Sequence, residues 1–302
     1  MLRVATIGFF DGVHCGHRCL ITQVVAEACR RGWAPLLVTF DRHPASVLHP
    51  EAAPPLLTTA DERVAMLQSQ AGSAGSVLVL PFTRELAQLT AREFMLTLRN
   101  EHDVRALVIG YDHRFGHDRL SRFEEYQRAG REVGVDVVQA QALSEGAPGG
   151  APTAERGSRC SSSSIRRLLL AGDVEAARGL LGYPYFLRGR VVGGFRIGRQ
   201  LGYPTANVLP DSPLKLIPRD GVYAVQVQTP AGPTRGMLYI GQRPTFGKGV
   251  RTIEAHLFHF HGDLYDATVE IRFLRFIREE RTFSSPEQLI DQLRQDARTC
   301  EG

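Results

Sequence analysis

Lysine is nearly absent from this 302-residue chain: Lys215 and Lys248 are the only two, so 34 of the 36 basic residues are arginine. From Met1 to Leu214 there is no lysine at all. This excludes a Gly-Lys-Ser/Thr phosphate loop from the first two-thirds, and with it Schiff-base or pyridoxal chemistry. Any phosphate handled there must be held by arginine, histidine, hydroxyls or backbone amides. Long apolar runs are also missing, and none approaches the roughly 18 residues of a membrane span. The opening Met1-Leu2-Arg3-Val4-Ala5-Thr6-Ile7-Gly8 lacks the apolar stretch and small-residue cleavage site of a signal peptide. It reads directly as a strand, which places the protein in the cytoplasm. The five cysteines (Cys15, Cys19, Cys29, Cys160, Cys300) are odd in number and show no paired spacing. His14, Cys15, His17 and Cys19 crowd together, yet no second ligand pair follows at finger-like spacing, so free thiols are the expectation. A formal charge of +4 is mild, and no basic stripe with interleaved aromatics argues for nucleic acid.

What is present is globular in kind, since 43% hydrophobic and 23% charged residues place the chain outside the disordered range. The length suggests two domains. Strand-like runs at Val4–Phe10, Leu36–Phe40, Val77–Leu80, Ala106–Gly110 and Val135–Ala140 alternate with helical patterns. Those patterns are Cys19–Arg31, Asp61–Gln70, Thr90–Glu101 and Ser121–Gly134, with Asp61 as a cap and a Thr90-x-x-Glu93 capping box. Alternation of this kind predicts an α/β layout with a parallel sheet, Rossmann-like, and helices on both faces. A Gly-, Ala-, Pro- and Ser-rich stretch, Ser144–Arg159, reads as a loop, and two short helices follow at Ser164–Leu170 and Val174–Leu181. Beyond Pro184 the pattern changes. Short strands at Val191–Val192, Gly221–Gln228, Gly236–Ile240, Thr252–Phe260 and Ala267–Phe276 predict an antiparallel barrel or sandwich, closed by a last helix at Pro286–Arg298. The boundary is therefore expected near Tyr183.

Three clusters carry chemistry. Gly8-Phe9-Phe10-Asp11-Gly12-Val13-His14-Cys15-Gly16-His17 follows the first strand and opens the first helix. Unpaired amides at a helix start suit phosphate, Gly16 removes a side chain there, and His14 and His17 can donate to developing charge. Ser161-Ser162-Ser163-Ser164-Ile165-Arg166 sets hydroxyls and a guanidinium at another helix start. Taken alone it is equally well a low-complexity linker, although Arg166 opposes the helix dipole and so favours an anion. In the second half, Gly202-Tyr203-Pro204-Thr205-Ala206-Asn207 offers neutral oxygens able to take Mg²⁺ and phosphate, or is simply a turn entering a strand. On the strand Thr252–Phe258, Glu254 faces away from Ile253 and Ala255 by the two-residue period.

Two further stretches join these: Thr39-Phe40-Asp41-Arg42-His43-Pro44 and Gly110-Tyr111-Asp112-His113-Arg114-Phe115-Gly116. With Gly198-Arg199-Gln200-Leu201-Gly202-Tyr203-Pro204-Thr205-Ala206-Asn207, the set resembles, in order and end to end, the prokaryotic bifunctional riboflavin kinase/FMN adenylyltransferase (FAD synthetase) family. The resemblance implies a nucleotidyltransferase domain over 1–183 and a β-barrel riboflavin kinase domain over 184–302. Riboflavin, FMN and ATP are then the substrates, with Mg²⁺ accompanying ATP and no part for nucleic acid or membrane. It also implies ATP contacts at Gly8, Phe10, Asp11, Gly16, Ser161, Ser162 and Gly198. His14, His17 and Arg166 would act in AMP transfer, and Thr205 and Asn207 would hold Mg·ATP. Glu254 would be the kinase base, Asp112 and Arg281 would contact flavin, and the loop Gly241–Gly247 would line the kinase site. The sequence departs from the family at Arg42, His113, Leu120, Ser121, Ser163 and Ser164, all within the nucleotidyltransferase domain expected over 1–183. An enzyme with kinase activity alone is the alternative reading, and no sequence feature sets an oligomeric state.

Overall fold

The computed structural model describes residues 1–110, 114–141, 160–193, 202–242 and 251–301. Asp112, Gly198, the whole Ser144–Arg159 loop and residues 243–247 lie outside them. The chain divides into two compact units, Met1–Ala151 and Pro152–Gly302, each described by itself.

The first unit is an open parallel sheet in the order β3-β2-β1-β4-β5. Its strands are β1 (Arg3–Ile7), β2 (Ala34–Phe40), β3 (Ser76–Leu80), β4 (Val104–Ile109) and β5 (Asp136–Gln139). The helices are α1 (Cys15–Arg31), α2 (Pro44–Leu48), α3 (Ala60–Ala71), α4 (Arg84–Gln88), α5 (Ala91–His102) and α6 (Phe123–Glu132). The near-continuous apolar runs of β1, β2 and β4 follow from burial on both faces. Ala5, Leu36, Val38 and Leu107 pack with Phe94 and Met95 of α5 on one face. Their neighbours Val4, Leu37 and Ala106 pack with Ile21, Val24 and Leu67 on the other. Helix ends follow local chemistry. Gly32 closes α1 at φ 68, a left-handed conformation that favours glycine. Thr90 and Glu93 form the expected box at α5, whereas Thr59 with Glu62, not Asp61, caps α3. With β1 central, the loop after it lies at the point where the strand order reverses, the usual ligand crevice of such sheets.

In the second unit six strands close a barrel in the order β10-β7-β6-β11-β8-β9. They are β6 (Phe186–Val192), β7 (Ala206–Pro210), β8 (Gly221–Thr229), β9 (Gly232–Gln242), β10 (Arg251–Leu257) and β11 (Thr268–Arg278), every pair antiparallel. Helices α7 (Ser162–Ala171) and α8 (Val174–Leu181) precede the barrel and α9 (Pro286–Glu301) ends it. Strand β7 is absent from the sequence-based expectation because its five residues, two of them polar or proline at the ends, show no alternating run. The boundary also moves. A change of pattern put it near Tyr183, but α8 packs on β11 and the Arg219 amide donates to the Leu169 carbonyl at 3.0 Å, so both helices belong by packing to the barrel unit.

Register fixes which residues share a face of the barrel. Leu238 and Ile240 stand opposite Ala255 and Ile253, all buried. The alternate set contains Met237 opposite His256 and Tyr239 opposite Glu254. Met237 packs with Leu293, Ala297 and Cys300 of α9, so Glu254 lies on the face that this helix partly covers.

Candidate active sites

At the end of β1 the backbone bends through two non-glycine residues in the left-handed region, Phe10 (φ 56) and Val13 (φ 36). For a β-branched residue this is uncommon, and such strain persists only where the surroundings enforce it. The enforcement is visible. Asp11, almost fully buried, accepts from the amides of Leu57 (3.0 Å) and Thr58 (2.9 Å) and from the Thr58 hydroxyl (3.1 Å). The Thr58 hydroxyl in turn accepts from the Gly12 amide at 3.0 Å. Asp11 was expected among ATP contacts; its carboxylate is turned into the protein, where it braces the loop. Phe10 likewise packs into the core, its ring edge-on to His17 at 5.2 Å.

His14 is the N-cap of α1, its Nδ1 accepting from the His17 amide at 3.3 Å. An accepting Nδ1 carries no proton, which leaves Nε2–H as the donor of this ring. The two imidazoles stack at 3.6 Å with 16° between planes. The first turn of α1, containing Gly16, holds no acid. Among the described α-helices this is shared only by α2 and α7, which begin at the Thr39–Pro44 and Ser161–Arg166 motifs. Every other α-helix has Asp or Glu in its first turn. The two helix starts expected to meet phosphate, those of α1 and α7, are thus among the three without an acid. Beside α1, Thr39 donates to the Phe9 carbonyl at 3.1 Å, and His43 caps α2 by accepting from the Ala45 amide at 3.1 Å. Burial opposes ionisation of Asp41, but the Phe82 amide and Arg42 outweigh it and hold the carboxyl below its ordinary range.

Ser161 caps α7, accepting from the Ser164 amide at 3.2 Å and donating to the Ser164 hydroxyl at 3.0 Å. Arg166 is buried one turn on. These residues and Ser162 belong to the second unit, and His14 and His17 to the first.

The barrel brings Thr205, Asn207 and Glu254 together. Glu254 is 4% exposed, and its two oxygens accept from different threonines: Oε2 from Thr205 and Oε1 from Thr252, each at 3.3 Å. Asn207 stands directly opposite on β7 and Tyr239 on β9. The Pro204 turn is pinned by His256, whose Nδ1 donates to the Pro204 carbonyl at 2.8 Å, with the Tyr203 ring 5.2 Å away. Next to this row opens a cavity of about 480 Å³ lined by Val191, Pro204, Thr205, Leu257, Phe260 and Tyr265 among others. Arg281 is exposed and donates to Gln292 of α9 at 3.1 Å. Its neighbour Glu280 accepts from the Tyr239 hydroxyl, which ties this segment to the residue facing Glu254. Thr252, Tyr239 and His256 escaped assignment from the sequence; the two-residue spacing from Glu254 was the available signal for Thr252 and His256.

The chain matches known proteins over nearly its whole length. A family model described as FAD synthetase matches residues 2–148, and one described as riboflavin kinase matches residues 181–302. The bifunctional riboflavin kinase/FMN adenylyltransferase of Escherichia coli K12 is 36% identical over 98% of this chain and 91% of its own length. The chain belongs to this bifunctional family. The Pseudomonas fluorescens member is 38% identical over 95% of this chain and 88% of its own. A solved structure described as a macrolide-efflux protein from Streptococcus pneumoniae shares 31% identity and a TM-score of 0.83, covering 98% of this chain and 92% of that one. Helices α7 and α8 fall almost wholly between the two family models.

Proposed function

We propose that this enzyme phosphorylates riboflavin with ATP to give FMN, then transfers AMP from a second ATP to FMN, giving FAD and pyrophosphate. The observation that carries this reading is the alignment of the chain, over nearly its full length, with bifunctional relatives. In the kinase half, Glu254 takes the proton from the ribityl 5′-hydroxyl as that oxygen attacks the γ-phosphorus of ATP. Its carboxylate is pre-oriented by Thr205 and Thr252, so little reorganisation accompanies proton transfer. Thr205 and Asn207 face the phosphates, and the neighbouring cavity, with Phe260 and Tyr265 in its wall, suits a flat base.

The donors here fit a divalent cation shared with ATP: Thr205 and Asn207 offer neutral oxygens, and no cluster of three His, Cys, Asp or Glu able to cage a metal occurs among the described residues. Bound there, Mg²⁺ supplies neutralisation of phosphate charge. In the adenylyl-transfer half, His14 donates from Nε2 and His17 stands parallel to it, so both rings meet charge building on the α-phosphoryl group. Ser161, Ser162 and Arg166, at the acid-free start of α7, offer hydroxyls and a guanidinium of the kind that suits pyrophosphate. Arg281 is proposed to contact flavin; Asp112 and Gly198, expected to contact flavin and ATP, lie outside the described residues.

Among the described residues no helix is long and apolar enough to cross a membrane. The deciding experiment separates products over time from riboflavin, ATP and Mg²⁺. FMN appearing first and converting to FAD is expected. FMN that accumulates without FAD, even when supplied directly, would leave only the kinase reading.

A further inference from the structure

Arg63 lies on α3, outside every motif that points to function, and its side chain is among the largest completely buried ones of the described residues. One nitrogen, Nη2, donates to the Phe40 carbonyl at 2.6 Å. The guanidinium carbon sits 4.1 Å from the centroid of the Phe9 ring, within cation–π range. Nε and Nη1 are buried without a hydrogen-bond partner. Asp11 and Asp41 are near enough to stabilise the charge, yet their oxygens are turned elsewhere, to Leu57 and Thr58 and to Phe82 and Arg42.

For stability alone this is a poor arrangement. A buried cation with unsatisfied donors is unfavourable, and an apolar side chain of similar volume is commonly neutral or stabilising in such a place. The guanidinium does, however, join two segments, through the Phe9 ring and the Phe40 carbonyl. Phe9 belongs to the loop between β1 and His14, and its ring meets the His43 ring edge-on at 4.8 Å. Phe40 ends β2 and leads into the Asp41–His43 turn that caps α2. Both segments emerge from the same end of the sheet, on either side of the strained turn that sets His14.

We propose that Arg63 is a positioning residue for AMP transfer, holding the loops after β1 and β2 at a fixed spacing from beneath, through the Phe9 ring and the Phe40 carbonyl. This rests on the adenylyl-transfer reading of the first unit. Arg63 touches no substrate; it acts on where Phe9, His43 and the His14 turn stand.

The test compares R63M and R63K with wild type as full-length proteins, measuring both activities and thermal unfolding. R63M is expected to lower kcat for FAD formation on the order of 10²-fold, the effect of a small misplacement of reacting groups. KM for ATP and FMN should move far less, melting should be unchanged or higher, and riboflavin phosphorylation should be untouched. R63K keeps a cation over Phe9 but not the planar fork, and should recover kcat to within about tenfold of wild type. An R63M enzyme that makes FAD at the wild-type rate would overturn the proposal. So would a loss that merely tracks the fraction unfolded, without rescue by R63K. If R63M does not fold, R63K decides: about tenfold lower kcat at unchanged KM and melting supports the proposal, and a wild-type rate sinks it. A wild-type protein that yields FMN but never FAD would overturn the underlying reading, and this proposal with it.

Discussion

The two units hold their reactive groups by opposite means. In the sheet unit the site is made of chain ends: a strained turn, helix starts without acids, and side chains such as Asp11 and Arg63 that brace loops from behind. In the barrel unit the central row is made of strand faces, with Asn207, Glu254 and Tyr239 set side by side by ladder register. A loop site depends on anchors distant in sequence, whereas a strand site inherits its geometry from the hydrogen-bonded ladder. The first arrangement is the more easily disturbed from a distance; the second is disturbed mainly by touching its own residues.

The sharpest separation comes from Glu254→Gln. Loss of a general base should lower riboflavin phosphorylation by about 10²–10⁴-fold while AMP transfer to supplied FMN is spared. Assaying each half-reaction on its own substrate checks this, and equal loss in both would erase the division between units. His17→Ala is the mirror image, expected to reduce FAD formation on the order of 10²-fold with FMN formation intact.

A third variant asks whether the barrel unit also has a distant anchor. Arg278 at the end of β11 donates from Nε to both oxygens of Asp296 at 3.0 Å and from Nη2 at 2.7 Å, and Asp296 is 1% exposed. Arg278→Met strands a buried carboxylate and should cost about 3–5 kcal/mol in denaturant unfolding of the barrel unit, with most of it regained when Asp296→Leu is added. Smallest of all is an effect of acid on α1. Hydrogen bonds from Arg30, and then Arg31, outweigh burial and hold the Glu27 carboxyl at about 2 against an ordinary 4.5. A folded-state value below the unfolded one contributes stability above about 4.5 that is lost as pH falls toward 2. The stability difference between wild type and Glu27→Gln should therefore shrink between pH 5 and 2.5.

Legibility in the sequence follows the same division. The loop motifs are contiguous, so His14, His17 and Ser161 could be placed on helix starts from order alone. Alternation put Glu254 on the face opposite Ile253 and Ala255, and the register agrees. The bracing contacts of Asp11 were not legible because a motif reveals that an acid is present but not which way it turns; the Leu57 and Thr58 amides that donate to it lie 46 and 47 residues away. Arg63 and Tyr239 were invisible for the same reason. Their meaning lies in contacts made only once the sheet and the barrel exist.

Helices α7 and α8 have a practical consequence for dissecting the protein. Ile165, Leu169, Val174, Ala177, Leu180 and Leu181 are all buried, and α8 lies against β11. A truncation starting at Tyr183, where the strand pattern begins, would strip this apolar cover and leave the β11 side of the barrel sticky. One starting at Cys160 keeps the cover and should yield a monodisperse fragment for crystallisation or calorimetry.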